Sequence, residues 1–203
     1  MTTARIQKIN DLCVKDGPVI KASALRSAGF CAKDTNELIR NGDLQRLRRG
    51  YYLSSTKNKD IDTFGILSAL IPDAVISLFS AAQYHGLSTV IPQKIDITLP
   101  VQRRIPVLPD NIHVKVYKAI PRIYEIGIQT VKKDGHPQKV YDRERTVCDF
   151  FRMRLQIGKD CAFEVLKNYM SGKKTFKNFR IMQTNLRLKA YFILILRFWS
   201  HEQ

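Results

Sequence analysis

Between Lys21 and Ser54, glycines at positions 29, 42 and 50 divide the chain into helix, turn, helix, stop and hairpin. Ser23 to Ala28 consists of helix-forming residues and ends at Gly29. Glycine suits the left-handed conformation that closes a helix. Phe30 follows as an apolar plug. Cys31 to Asn41 predicts a second helix, stopped by Gly42. Cys31, Thr35, Leu38 and Ile39 recur at three- and four-residue steps, which predicts an inward stripe. Lys33, Asn36, Glu37 and Arg40 fall on another face. Two short helices around a glycine-bearing turn match a helix-turn-helix. The second would then be the recognition helix.

On that helix Lys33 and Arg40 suit phosphates or guanine edges, and Asn36 suits adenine. Glu37 would repel phosphate but can accept from a cytosine amine. Leu44 to Leu53 reads as a hairpin reversing at Gly50, with Tyr51, Tyr52 and Leu53 favouring a strand. Arg46, Arg48 and Arg49 cluster near its tip. Cations on a flap of this kind lie naturally along a phosphate backbone. The pattern is that of a winged helix-turn-helix. A small helical subdomain with a solvated basic turn would share these features.

Charge points the same way. The 203 residues hold 34 Lys and Arg against 18 Asp and Glu, a formal net charge of +16. Such an excess favours a polyanionic partner, nucleic acid first and an anionic membrane second. The cysteines Cys13, Cys31, Cys148 and Cys161 form no C-x-x-C pair, and the histidines are scattered. That spacing predicts no metal site. Reduced thiols and the lack of an apolar N-terminal run predict a cytoplasmic protein. The most apolar run, Ala190 to Leu196, is too short to span a bilayer.

Ala4 to Asp16 predicts a supporting helix, with Ile6, Ile9, Leu12 and Cys13 on one stripe. Val19-Ile20 is expected to pair as a short strand with the hairpin. Ser54 to Asp60 is polar and aperiodic, and marks the expected boundary. The chain is therefore expected to be α+β: residues 1–56 form the winged module, and 60–203 a mixed α/β domain.

In the second part Thr63 to Leu70 reads as a helix, and Ala74 to Phe79 as an apolar β-rich run. Ser80 to His85 would be a short helix, capped by Ser77 or Ser80. Strands are expected at 94–99, 112–117, 126–131 and 138–141, then helices at 143–154 and 162–170. Asp142 is expected to cap the first of these helices. Arg145 and Asp149 stand four apart, which predicts a modest pair on an exposed face. His85 has no evident nucleophile or orienting partner, so a structural role is expected for it.

Three blocks carry a family resemblance: Gly42-Asp-Leu-Gln-Arg-Leu-Arg-Arg-Gly-Tyr-Tyr52, Ser80-Ala-Ala-Gln-Tyr-His-Gly-Leu87 with Ile95-Asp-Ile-Thr-Leu-Pro100, and Val140-Tyr-Asp-Arg-Glu-Arg-Thr-Val-Cys-Asp149. In order and spacing they resemble AbiEi-type antitoxins over residues 5 to 170. The resemblance implies an antitoxin of a type IV toxin–antitoxin, or abortive-infection, system. Its first domain would repress its own operon by binding inverted repeats in promoter DNA, as monomers that bind cooperatively. Its second would counter a nucleotidyltransferase-like toxin without a stable complex. Lys33, Asn36, Arg40, Arg46, Arg48 and Arg49 match the DNA-reading positions.

No catalytic residue, cofactor or metal is expected. Two-metal chemistry needs converging carboxylates, and the strand holding Asp96 offers Ile97-Thr98 instead. A Walker-type glycine loop is also missing. The alternative is an RNA-binding or nucleic-acid-processing enzyme, motivated by Arg103, Arg104, Lys115, Lys118, Lys132, Lys133 and Lys139. A third reading is a module that neutralises its toxin by contact. After Gly172 the tail departs from the family's pattern. A frameshift in the source gene or a buried apolar helix would each explain it.

Overall fold

The computed structural model describes residues 3–17, 19–55, 63–133 and 136–172. The expected boundary near residues 56–60 and the tail beyond Gly172 lie outside these residues. The chain is mixed α/β, with two sheets. It divides into two compact units. The first holds Met1–Ala74, Arg104–Ile112 and Val131–Gln138, and the second holds Val75–Arg103, His113–Thr130 and Lys139–Gln203.

The first unit opens with α1 (Thr3–Asp16) and β1 (Val19–Lys21). Then come α2 (Ala22–Ser27), α3 (Ala32–Arg40), β2 (Leu44–Arg48), β3 (Tyr51–Ser54) and α4 (Thr63–Leu70). The strands form an antiparallel sheet in the order β1-β3-β2. Val19 lies opposite Leu53 and Ile20 opposite Tyr52, so the predicted pairing of Val19-Ile20 with the hairpin is found. Gly29 and Gly42 adopt φ +88° and +79°, which explains why the two helices stop there. Ile9, Cys13, Ile20, Leu25, Phe30, Leu38 and Leu44 make one buried cluster. Burying each large aliphatic side chain among them contributes about 1.5–3 kcal/mol. That cluster fixes α3 against α1 and the sheet.

Cys31 is a correction to the inward stripe. It is exposed and precedes α3, while Thr35 and Leu38 are buried. Its backbone N–H donates to Asp34 Oδ2 at 2.9 Å. The position serves the helix start, where amides lack intrahelical partners, and not the core.

The second unit contains β4 (Val75–Ile76), α5 (Leu78–Tyr84), β5 (Ile95–Pro100), β6 (Val114–Ala119), α6 (Pro121–Tyr124), β7 (Ile128–Lys133), β8 (His136–Tyr141), α7 (Arg143–Ile157) and α8 (Lys159–Ser171). The ends of β7 and β8, residues 131–138, group with the first unit. Sheet order is β6-β5-β4-β8-β7. β4 runs antiparallel to β5 and parallel to β8, and β5 runs parallel to β6. Leu78, Ala82, Leu87, Val147, Phe150, Phe151, Val165, Leu166 and Tyr169 pack α5, α7 and α8 into one core.

The apolar run 74–79 was expected to be β-rich, yet only Val75 and Ile76 are strand. Asp96 on β5 explains the switch to helix. Its Oδ2 accepts from Phe79 N at 3.1 Å, capping α5 from a neighbouring strand. Ser80 Oγ in turn accepts from Asp96 N at 2.9 Å. Ser77 precedes the helix, but its side chain makes no capping bond. The Asp96 carboxyl, raised by burial and hydrogen-bonded by Tyr117, is committed to this junction.

Candidate nucleic-acid interface

In α3, residues 33, 36 and 40 follow helical spacing and share one face. Lys33, Asn36 and Arg40 are all exposed there. Thr35 and Leu38 on the opposite side are buried, so the core determines which face reaches solvent. Glu37, also exposed, is balanced from α1. Arg5 lies 2.9 Å from Asp34 and 3.8 Å from Glu37. Hydrogen bonding at Cys31, with Arg5 adding to it, holds the Asp34 carboxyl below its usual range. Nothing in the local sequence announces this pairing, because Arg5 is nearly thirty positions away and on another helix.

The hairpin does not present its three arginines alike. Regular alternation from buried Leu44 would turn Arg46 inward. The β2–β3 register shifts between Arg46 and Arg48, so Leu47 is the buried residue and Arg46 is exposed. A bulge of this kind adds a residue and re-aims the side chains around it. Arg49 is exposed beside Gly50, whose φ of +81° makes the reversal.

Arg48 corrects the expectation of a cation cluster at the tip. It is half-buried, with its guanidinium 4.0 Å above the Tyr51 ring and Nη2 donating to Leu70 O at 3.1 Å. The exposed cations of the candidate surface are therefore Lys33, Arg40, Arg46 and Arg49, with Asn36 among them.

Corrections in the second unit concern Arg145 and Asp149. They were expected on an exposed face, but their residues are 0% and 3% accessible. Arg145 Nε donates to Asp149 Oδ2 at 2.9 Å. Its Nη1 donates to the carbonyls of Ile123 and Ile126 at 2.6 and 2.7 Å. The guanidinium lies 4.2 Å above the Tyr141 ring. Arg152 Nη2 stands 3.2 Å from Asp149 Oδ1 as an ion pair, outside hydrogen-bond geometry. Tyr141 donates its hydroxyl to Tyr124 O, closing the cluster around α6. The motif around 140–149 thus builds a buried joint between β8, α7 and α6.

His85 is held against the end of β8. Its Nε2 is 2.6 Å from Tyr141 O, and burial lowers its pKa. Lone-pair repulsion from the carbonyl is avoided when Nε2 carries the proton. Asp142 caps α7 as expected, accepting from Arg145 N at 2.6 Å. Burial nonetheless pushes its carboxyl up to about 6. A raised folded-state value means that its contribution to stability is complete below 3.8, the unperturbed value, and is lost as pH rises through about 6. Asp142→Asn retains a capping oxygen and removes the titration. The stability difference between wild type and this variant is expected to change between pH 4 and 6 and to be flat above pH 7. Urea midpoints followed by circular dichroism across that range check it.

Among the second-unit cations, Lys115 lies 5.5 Å from the Tyr117 ring and Lys118 Nζ donates to Arg103 O. Among the described residues no cluster of three His, Cys, Asp or Glu is arranged to hold a metal ion. No helix among them is long and apolar enough to cross a membrane.

No protein-family model matches the chain, and no curated protein matches it significantly. Among solved structures it is similar to the crystal structure of the RV2827C protein from Mycobacterium tuberculosis. The TM-score is 0.58 at 16% sequence identity, over 91% of this chain and 72% of that one. The likeness is one of fold.

Proposed function

We propose that this protein is a DNA-binding repressor whose first unit is a winged helix-turn-helix. In this reading α3 enters the major groove and the β2–β3 hairpin lies along the phosphate backbone. The observation that carries it is the exposed Lys33, Asn36 and Arg40 face of α3, followed directly by a hairpin with exposed Arg46 and Arg49. A net charge of +16 supports the same partner. Lys33, Arg40, Arg46 and Arg49 supply phosphate or guanine contacts, and Asn36 reads a base edge. Arg5 offsets part of the negative charge of Asp34 and Glu37 that would otherwise repel the duplex.

The AbiEi-like blocks extend the proposal. Residues 1–56 act as the reader of inverted repeats in the protein's own promoter, and 60–203 as the antitoxin part. The chain is then a cytoplasmic antitoxin of a type IV system, monomeric off DNA. It counters a nucleotidyltransferase-like toxin without a stable complex and without catalysis of its own. The commitment of Asp96 to a helix cap and of Asp149 to Arg145 supports the non-enzymatic reading.

A gel-shift titration against the protein's own promoter tests it. The complex is expected to survive excess random duplex and to weaken steeply with salt. Asn36→Ala is expected to relax preference at one base pair by about 1–3 kcal/mol while sparing random-sequence affinity. Equal losses on every sequence would contradict base reading by Asn36.

A further inference from the structure

Arg48 is held on two sides within the first unit. Its Nη2 meets the carbonyl of Leu70, the last residue of α4, at 3.1 Å. Final-turn carbonyls have no partner inside their helix and carry the negative end of its dipole, so a cation there is favoured. The flat guanidinium also stacks on Tyr51 at 4.0 Å, and its Nε is buried without a hydrogen-bond partner. Tyr51 begins β3 and pairs with Lys21 of β1. Next to it, Ala22 N donates to Gly50 O at 2.8 Å. At the other end of the tie, α4 is anchored by buried Ile66, Leu67 and Leu70.

We propose that Arg48 is a positioning residue, which ties the hairpin to α4 so that Arg46 and Arg49 stay aimed at the duplex. This rests on the DNA-binding reading above. Arg48 itself neutralises no phosphate. The role needs a planar, stacking cation with a directional fork, which lysine does not supply. Charge at position 48 is therefore insufficient, whereas charge at position 49 suffices.

Full-length Arg48→Ala, Arg48→Lys, Arg49→Ala and Arg49→Lys variants are compared on the promoter duplex over a salt series. Hydrogen exchange of backbone amides 44–54 is measured in each free protein. Both Arg48 variants are expected to bind about tenfold more weakly with an unchanged salt slope. Their hairpin amides are expected to exchange faster. Arg49→Ala is expected to make the log–log salt slope shallower by about 1, and Arg49→Lys to restore it.

Recovery of wild-type affinity by Arg48→Lys, together with a shallower slope in Arg48→Ala, would make Arg48 a phosphate contact and overturn the proposal. Hairpin exchange unchanged from wild type in both Arg48 variants, while the wild type binds DNA, overturns the tie alone. A wild type that binds no duplex removes the DNA-binding reading itself. The interface role of Arg48 goes with it, whatever the exchange data show.

Discussion

Arg145→Ala is expected to destabilise the second unit by about 3–5 kcal/mol, the usual cost of removing one partner from a buried ion pair. Folded domains are stable by only about 5–15 kcal/mol, so much of the margin would go. The reason is specific. Truncation strips the donors from the Ile123 and Ile126 carbonyls and the stacking partner from Tyr141. It also leaves the Asp149 carboxylate buried, with Arg152 alone at 3.2 Å. Replacing both members with apolar residues, as in Arg145→Met with Asp149→Leu, is expected to cost less than Arg145→Ala, because no charge is then stranded. Urea unfolding followed by circular dichroism measures both. A loss below about 1 kcal/mol for Arg145→Ala would place the pair in the class of solvent-screened surface bridges.

Arg46→Ala combined with Arg49→Ala is expected to produce the largest binding defect. Each phosphate contact contributes about 0.9 to the slope of log affinity against log salt, so the double variant should be shallower by roughly 2. At moderate salt the affinity should fall on the order of ten- to a hundredfold, equally on promoter and random duplex. The two side chains are exposed, so their removal should leave the unfolding midpoint near that of wild type. Fluorescence anisotropy with labelled duplexes, from about 50 to 200 mM salt, separates this result from the single-position effect of Asn36→Ala. An unchanged slope would remove both arginines from the interface.

Local signals were readable where backbone geometry or periodicity leaves one solution. Gly29, Gly42 and Gly50 all adopt positive φ, and each closes the element predicted to end there. The stripe through Thr35 and Leu38 put Lys33, Asn36 and Arg40 on the exposed side of α3. Asp142 before Arg143 read as a cap because an acceptor at a helix start meets otherwise unpaired amides.

Other features depended on partners distant in sequence. Arg145 and Asp149 have the spacing of a solvent-exposed helical pair, and only the carbonyls at 123 and 126 with the Tyr141 ring make the site a buried one. Asp96 caps a helix through the amide of Phe79, seventeen residues earlier, so no reading of residues 77–80 finds the cap. The bulge in β2 moves Arg46 outward and sends Arg48 toward Leu70, although the two look alike in the sequence.

The sequence by itself therefore determined where the first unit's helices stop, which face of α3 is wet, and that the chain is strongly cationic. These follow from dihedral preference, hydrophobic spacing and a count of charges, none of which needs a distant neighbour. Tertiary structure alone decided which arginines are available to a ligand. A guanidinium is equally at home in water, on an aromatic ring or at a helix C-terminus, and the choice depends on which of these the fold brings within reach.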